Sequence, residues 1–165
     1  MLEHPKLQRE TVILLTPQRI RSHSTMPQKN YNGKLILAKS YRSKVNASQR
    51  RRGWMFPKTG GSQAKKLETV DDRTFEFGET KRKFSESVFH GPENSELGWV
   101  VMVTIEFTGE KVIFASYIQG PMYTPTLAKI LAESPQLVIV GGPPTYLAGF
   151  RVKDEHIETG MQNLR

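Results

Sequence analysis

Apolar positions change their spacing twice along this chain, and each change marks a new kind of element. Thr11-Val12-Ile13-Leu14-Leu15 is a short unbroken apolar run and reads as a buried strand. Thr16 to Asn32 is polar, basic and without period, so it reads as a loop. The turn pair Asn32-Gly33 leads into a second strand, Lys34 to Ala38. Asn46-Ala47-Ser48-Gln49 opens a helix that runs to about Phe56, with Asn46 or Ser48 as its cap. Pro57 and Gly60-Gly61 close it. From Lys66 the pattern turns to strands: Leu67 to Val70, then Thr74 to Phe77 with Phe75 and Phe77 on one face. Gly78-Glu79 turns the chain and Thr80 to Phe89 returns. Gly98 to Phe107 is the strongest strand; Trp99, Val101, Val103, Ile105 and Phe107 share one face, and Val100 and Met102 make the other apolar near its start. Thr108-Gly109 turns into Lys111 to Ser116, and strands this closely spaced predict an antiparallel meander. The last third is different. Thr124 to Glu133 has helical spacing at Leu127, Ile130 and Leu131, with Pro125 in the first turn, where proline is tolerated. Gln136 to Val140 reads as a short buried strand ended by Gly141-Gly142-Pro143-Pro144. Asp154 caps a final helix to Arg165 with Ile157, Met161 and Leu164 as its stripe, which Gly160 weakens by roughly 1 kcal/mol relative to alanine. An antiparallel sheet followed by a helix–strand–helix unit implies a layered α/β fold.

Composition narrows the classes. At 165 residues with 37% hydrophobic content, the chain supports one domain with a core. No run approaches the ~18 apolar residues of a membrane span. Met1-Leu2-Glu3-His4-Pro5-Lys6 lacks the basic-then-apolar order of a secretory signal, so a cytoplasmic location and no membrane partner are expected. The absence of cysteine excludes disulfides, thiolate nucleophiles and cysteine-ligated metals. A net charge of +8 favours acidic partners, nucleic acid among them, but the excess is concentrated before Lys66. Its clusters are Arg50-Arg51-Arg52, Lys65-Lys66 and Lys81-Arg82-Lys83, with Trp54 or Tyr41 available for stacking. Three adjacent arginines spread over nearly a whole helical turn and make no single stripe. A solvated helix face is therefore the simpler expectation, and a basic nucleic-acid-binding module the alternative. Arg82 is odd, because on an alternating strand it shares a face with Phe84.

Catalytic chemistry has few candidates. The four histidines, His4, His23, His90 and His156, form no local ligand pair. His90 stands out because it follows a strand end and precedes a glycine, in Val88-Phe89-His90-Gly91-Pro92-Glu93; a second strand end lies at Phe114-Ala115-Ser116-Tyr117-Ile118-Gln119-Gly120-Pro121. Metal ligands are often carried at strand ends of this kind, though a turn histidine bonded to backbone has the same signature. Glu93 and Glu96 flank His90 and could orient it, as carboxylates behind a ligand do, or could lie on the surface. Asp71-Asp72 is explained by turn chemistry. There is no serine nucleophile elbow and no phosphate-binding loop. The prolines of Gly141-Gly142-Pro143-Pro144 lack the amide hydrogens that would hold a phosphate.

Gly33-Lys34-Leu35-Ile36-Leu37, Ser48-Gln49-Arg50-Arg51-Arg52, Phe75-Glu76-Phe77-Gly78, His90-Gly91-Pro92-Glu93, Leu97-Gly98-Trp99-Val100-Val101-Met102-Val103 and Gly142-Pro143-Pro144-Thr145-Tyr146-Leu147 stand in an order that resembles the UPF0282 group, a mainly archaeal family of the metallo-β-lactamase superfamily. The resemblance runs from about Leu35 to Leu164. It implies an αββα sandwich and descent from hydrolases in which two metal ions, usually zinc, activate a water that attacks an ester, amide or phosphodiester. Several departures qualify what it carries over. The family's His-x-His-x-Asp-His loop follows an early strand; here Thr16-Pro17-Gln18-Arg19-Ile20-Arg21-Ser22-His23 follows, keeping at most His23, and arginine repels a metal. The family's histidine before Gly-Pro-Glu is His90, and its bridging aspartate falls on Tyr117. Opening strands and a closing histidine motif are also missing. The deviation concentrates in the first thirty or so residues, which fits either loss of the site or a misread frame.

Together these readings give a degenerate strand and basic loop over 1–32 and an incomplete metallo-β-lactamase-like domain over 33–165. The expected protein is a truncated or degenerate hydrolase-like member, inactive alone, with His90 and His23 as the metal-ligand candidates and Tyr117 at the bridging position. No cofactor is expected to remain in this chain, because a catalytic zinc needs at least three protein ligands. The alternatives are a hydrolase with rearranged ligands (His90, His23 and Glu93) and the nucleic-acid-binding module. Uncovered sheet edges and apolar faces predict self-association or dependence on a partner.

Overall fold

A computed structural model describes residues 12–15 and 33–165 of the chain. The sequence segment 16–32, including His23, lies outside the described residues, as does His4. Strands β1 (Val12–Leu15), β2 (Leu35–Ala38) and β3 (Lys66–Thr69) form a parallel three-stranded sheet in that order. The larger sheet is built from β4 (Thr74–Phe77), β5 (Thr80–Phe84), β8 (Val103–Phe107), β9 (Glu110–Ala115) and β10 (Leu137–Val140). Its order is β10-β9-β8-β5-β4, antiparallel except where β10 runs parallel to β9. Strands β6 (Val88–Phe89) and β7 (Trp99–Val100) pair separately and antiparallel. Three nine-residue helices complete the frame: α1 (Ala47–Met55), α2 (Thr124–Ala132) and α3 (Asp154–Gln162). The described chain is thus mixed α/β, with a mostly antiparallel main sheet and few flanking helices. Among the described residues no helix is long and apolar enough to cross a membrane.

Strand β2 is apolar throughout because both of its faces are covered. Leu35 and Leu37 face the main sheet, packing with Val70, Phe75, Phe77, Phe84, Val101, Val103 and Phe114. Ile36 and Ala38 face the other way, against Phe56, Ala64 and Leu67. On the far side of the main sheet, Ile113, Ala115, Val138 and Val140 pack with Val88, Val100, Met102, Ile118 and Ile130 of α2. Two sheets therefore lie face to face, with a helical segment on each outer side. A buried ion pair pins the small sheet: Lys39 Nζ donates to Asp71 Oδ1 at 3.1 Å and to the Ser43 carbonyl at 3.2 Å. Asp71 also accepts from the Ser87 hydroxyl at 2.8 Å and from the backbone of Ser40. Asp71, assigned to turn chemistry on sequence, thus ties β2 to the approach to β6. Burial pushes the Lys39 ammonium below its ordinary pKa and Asp71 opposes that shift.

Several expectations need correction. Leu67 to Val70 does not join the meander; it pairs in parallel with β2 across the α1 crossover. Neither long strand is continuous. The runs 80–89 and 98–107 both break where Ser85 meets Met102, the Met102 N–H donating to the Ser85 hydroxyl at 2.9 Å and the Ser85 N–H to the Met102 carbonyl at 3.0 Å. A side chain takes one ladder bond there, so the pairing bends away as β6–β7. The strand at 136–140 is not buried but an edge, with Leu137 54% exposed. Lys153, not Asp154, holds the α3 cap position, and Asp154 stands in the first turn, where its charge complements the helix dipole. Of the α3 stripe, Ile157 is buried while Met161 and Leu164 are exposed. Arg82 does share the inner face with Phe84, as its position requires, but its guanidinium lies 4.5 Å over the Phe77 ring, which satisfies the cation at the sheet margin.

Candidate functional site

The turn after β6 and the turn after β9 meet at one end of the main sheet. His90 leaves β6 with its N–H donating to the Gly98 carbonyl at 2.9 Å. Gly91 follows at φ +104, and a Cβ there would stand 2.9 Å from Gln119 Oε1. Only glycine lets the two turns touch at this point. The second turn carries Gln119 and Gly120 in consecutive left-handed conformations, φ 59 and 60. Gly120 approaches Pro143 closely, and Gly160 of α3 approaches Met122, Pro143 and the Gly120 carbonyl. Tyr123 closes the flank with its ring edge-on to Phe89 at 5.2 Å. His90 is itself buried, and that burial holds its imidazole below its ordinary pKa, favouring the neutral form.

The 90–99 loop is held from outside by α1. Asn46 and Gln49 form a capping box: the Gln49 N–H donates to Asn46 Oδ1 at 2.8 Å, and the Asn46 N–H to Gln49 Oε1 at 3.1 Å. Gln49, 1% exposed, also donates from Nε2 to the Trp99 carbonyl at 2.8 Å and accepts the Trp99 N–H at 3.3 Å. Asn46 Nδ2 donates to the Glu96 carbonyl at 2.7 Å. One helix end thus orders the loop that bears His90.

The residues singled out from sequence are distributed as follows. His90 is at the meeting of the turns. Tyr117 lies in the adjacent turn, half-buried, and packs on the apolar cluster of Val88, Val100 and Ile118. Glu93 and Glu96 are exposed, and the structure gives neither the role of orienting His90. His156 is half-buried on α3. Among the described residues, no group of three or more His, Asp or Glu could hold a metal ion. A binuclear zinc centre needs several imidazoles and carboxylates converging on one point. One imidazole, a phenol packed on apolar side chains and a carboxamide do not fit it. Two polar atoms escaped the sequence reading: Gln119 Oε1 and Thr126 Oγ1 are buried and make no hydrogen bond among the described residues. An unsatisfied buried acceptor costs about 1–3 kcal/mol. Gln119 was visible only as part of the Ile118-Gln119-Gly120 run, and no local signal marks it as orphaned.

Comparison with known proteins gives the following. No family model matches the chain. A UPF0282 protein of Methanopyrus kandleri is 40% identical over 135 residues, covering 82% of this chain and 46% of the relative. A UPF0282 protein of Thermococcus gammatolerans is 44% identical over 134 residues, covering 81% of this chain and 44% of the relative. Among solved structures, that of unliganded yeast PDE1 aligns at a TM-score of 0.41 and 12% identity, covering 88% of this chain and 47% of that one. The chain spans less than half the length of the curated relatives it matches. Over that shared part, its sequence is similar to that of UPF0282 proteins.

Proposed function

We propose that this chain is a metallo-β-lactamase-like, hydrolase-related domain that does not hydrolyse substrate by itself. The layering supports the fold half of this reading: two face-to-face sheets, with Phe56 after α1 packed outside one and α2 outside the other. The observation that carries the functional half is the donor set at the strand ends. His90 stands there with Tyr117 in the neighbouring turn, where the resemblance calls for an aspartate, and with Glu93 and Glu96 exposed. A phenol offers one oxygen where a carboxylate offers two, so it does not reproduce a bridging carboxylate. In the hydrolases the resemblance points to, bound zinc would supply an activated water; the described donors do not fit that centre. Metal analysis and a phosphodiester assay test the proposal on the purified chain after incubation with zinc. The expected result is less than one tightly held zinc per chain and no turnover above buffer. Two equivalents of zinc, with turnover that disappears in His90→Ala, would overturn it.

A further inference from the structure

On α1, Ala47, Arg50, Arg51 and Trp54 recur at i, i+3, i+4 and i+7, so they share one face of the helix. The opposite side faces inward through Gln49 and Gly53. A Cβ at Gly53 would fall 2.3 Å from the Tyr41 Cβ, so glycine is what allows the 39–44 loop to close against the helix. The result is an open groove of about 530 Å³ lined by Tyr41, Arg42, Ala47, Arg50, Arg51 and Trp54. The arginine triplet divides: Arg52 turns back along the helix to the Ser48 hydroxyl, while Arg50 and Arg51 are exposed on the groove.

Charge and ring chemistry both point outward. From Thr11 to Leu67 the sequence contains no Asp or Glu. Among the described residues no carboxylate pairs with Arg42, Arg50 or Arg51, whereas the other basic clusters are partly neutralised, Lys66 by Glu68 at 2.7 Å and Lys83 by Glu133 at 2.6 Å. Trp54 is 51% exposed although Lys58 Nζ lies 3.4 Å over its ring, and Arg42 stands 5.7 Å from the Tyr41 centroid. Half of this large aromatic is left in water beside the groove's guanidinium groups. Unpaired guanidiniums suit phosphate, and exposed aromatic faces suit a flat base. Bases in a duplex are already stacked on one another, so the ligand must present its base free. An acidic peptide would meet the arginines and leave the rings unused.

We propose that this groove binds a nucleotide unit, the phosphate against Arg42, Arg50 and Arg51 and the base against Trp54, as free nucleotide or within single-stranded nucleic acid. The binding requires no metal and stands apart from the hydrolase-related reading.

Anisotropy of a fluorescein-labelled twelve-residue oligothymidylate tests it on the whole chain, with thymidine monophosphate, inorganic tripolyphosphate and phosphatidylserine vesicles as competitors. Three phosphate contacts on a single strand give a log–log salt slope of about −2, so raising salt from 50 to 200 mM weakens binding about twentyfold. Replacing Arg50→Gln and Arg51→Gln together reduces that loss to about threefold, while the Arg50→Lys, Arg51→Lys pair keeps the original slope. Trp54→Ala weakens binding about fivefold or more at constant salt and leaves the slope unchanged. All three positions are exposed, and far-ultraviolet circular dichroism checks that each variant is folded. Oligonucleotide much tighter than mononucleotide assigns a strand as the ligand; equal binding assigns a free nucleotide. A wild-type slope in the glutamine pair, unchanged affinity in Trp54→Ala, or vesicles or tripolyphosphate competing as well as nucleotide at equal phosphate overturns the proposal.

Discussion

Replacing Gly160→Ala sets a helix propensity against a packing contact, and the two effects have opposite signs. In a helix interior glycine costs about 1 kcal/mol relative to alanine, so propensity alone makes the substitution stabilising. The structure says otherwise. A Cβ at position 160 would lie 2.8 Å from Met122 Cγ and from Pro143 Cγ, and 3.2 Å from the Gly120 carbonyl oxygen. Carbon atoms pack at about 3.5–4.0 Å, so the overlap exceeds half an ångström on two sides. Met122 can adjust, but the Pro143 ring cannot rotate away, and Gly120 is itself wedged against Pro143 in a left-handed turn. Helix α3 must move outward, at about 1–3 kcal/mol for overpacking, and it lifts Ile157 from its buried seat as it goes. The net expectation is a loss of about 1–2 kcal/mol. Urea unfolding followed by circular dichroism should show a lower midpoint with an unchanged m-value. Glu158→Ala, exposed on the same helix, should stay within about 0.5 kcal/mol. A gain of about 1 kcal/mol in Gly160→Ala would refute the close approach of α3 to the strand-end turns.

Two further outcomes follow from burial elsewhere in the fold. Burial holds the His90 pKa below its ordinary 6.5, so below that pH the unfolded chain binds a proton that the native chain still refuses. His90 therefore contributes a stability that is full above about pH 6.5 and declines as pH falls toward the lower folded value; the difference in urea midpoint between wild type and His90→Gln should change over that window, and a pH-independent difference would contradict it. On the main sheet, Ile105, Phe107, Leu137 and Ile139 lie on the face that packs the small sheet, yet remain exposed, Phe107 at 49%. Phe107→Lys with Ile139→Lys should reduce concentration-dependent self-association in sedimentation velocity, and identical profiles for variant and wild type would remove this face as the cause.

The elements that sequence revealed are those with a local chemical cause. The α1 start was legible because a capping box is written in adjacent letters, and the turns at Gly33, Gly78 and Thr108-Gly109 because left-handed backbone selects its residues. The parallel pairing of β3 with β2 was not, because the partner lies across a helix and nothing in Lys66–Thr69 distinguishes it from an antiparallel strand. The break at Met102 was hidden for another reason: Val100 to Val103 is apolar on both faces, so periodicity carries no mark of where one pairing ends. At the site, both strand-end turns were visible as glycine-bearing strand ends. Their contact through Gly91 and Gln119 was not, since only tertiary structure brings them together. The groove shows the converse error. Read as a triplet, Arg50-Arg51-Arg52 spreads around the helix; read with Ala47 and Trp54, two of the three fall on one stripe.

The capping box also explains how the loop bearing His90 is held in place. In domains whose structure depends on a metal, the ligands are the cross-links, and removing the metal unfolds the site. Here the 90–99 loop is fixed by protein bonds: Gln49 to both backbone groups of Trp99, Asn46 to the Glu96 carbonyl, and the His90 N–H to the Gly98 carbonyl. Each is an ordinary hydrogen bond contributing about 1 kcal/mol, and the Gln49 side chain is buried. Substitutions around His90, including at position 117, therefore need not cost the fold its order. The same two side chains anchor α1, so the helix that presents Arg50, Arg51 and Trp54 is held in register with the His90 loop whether or not any metal chemistry occurs there.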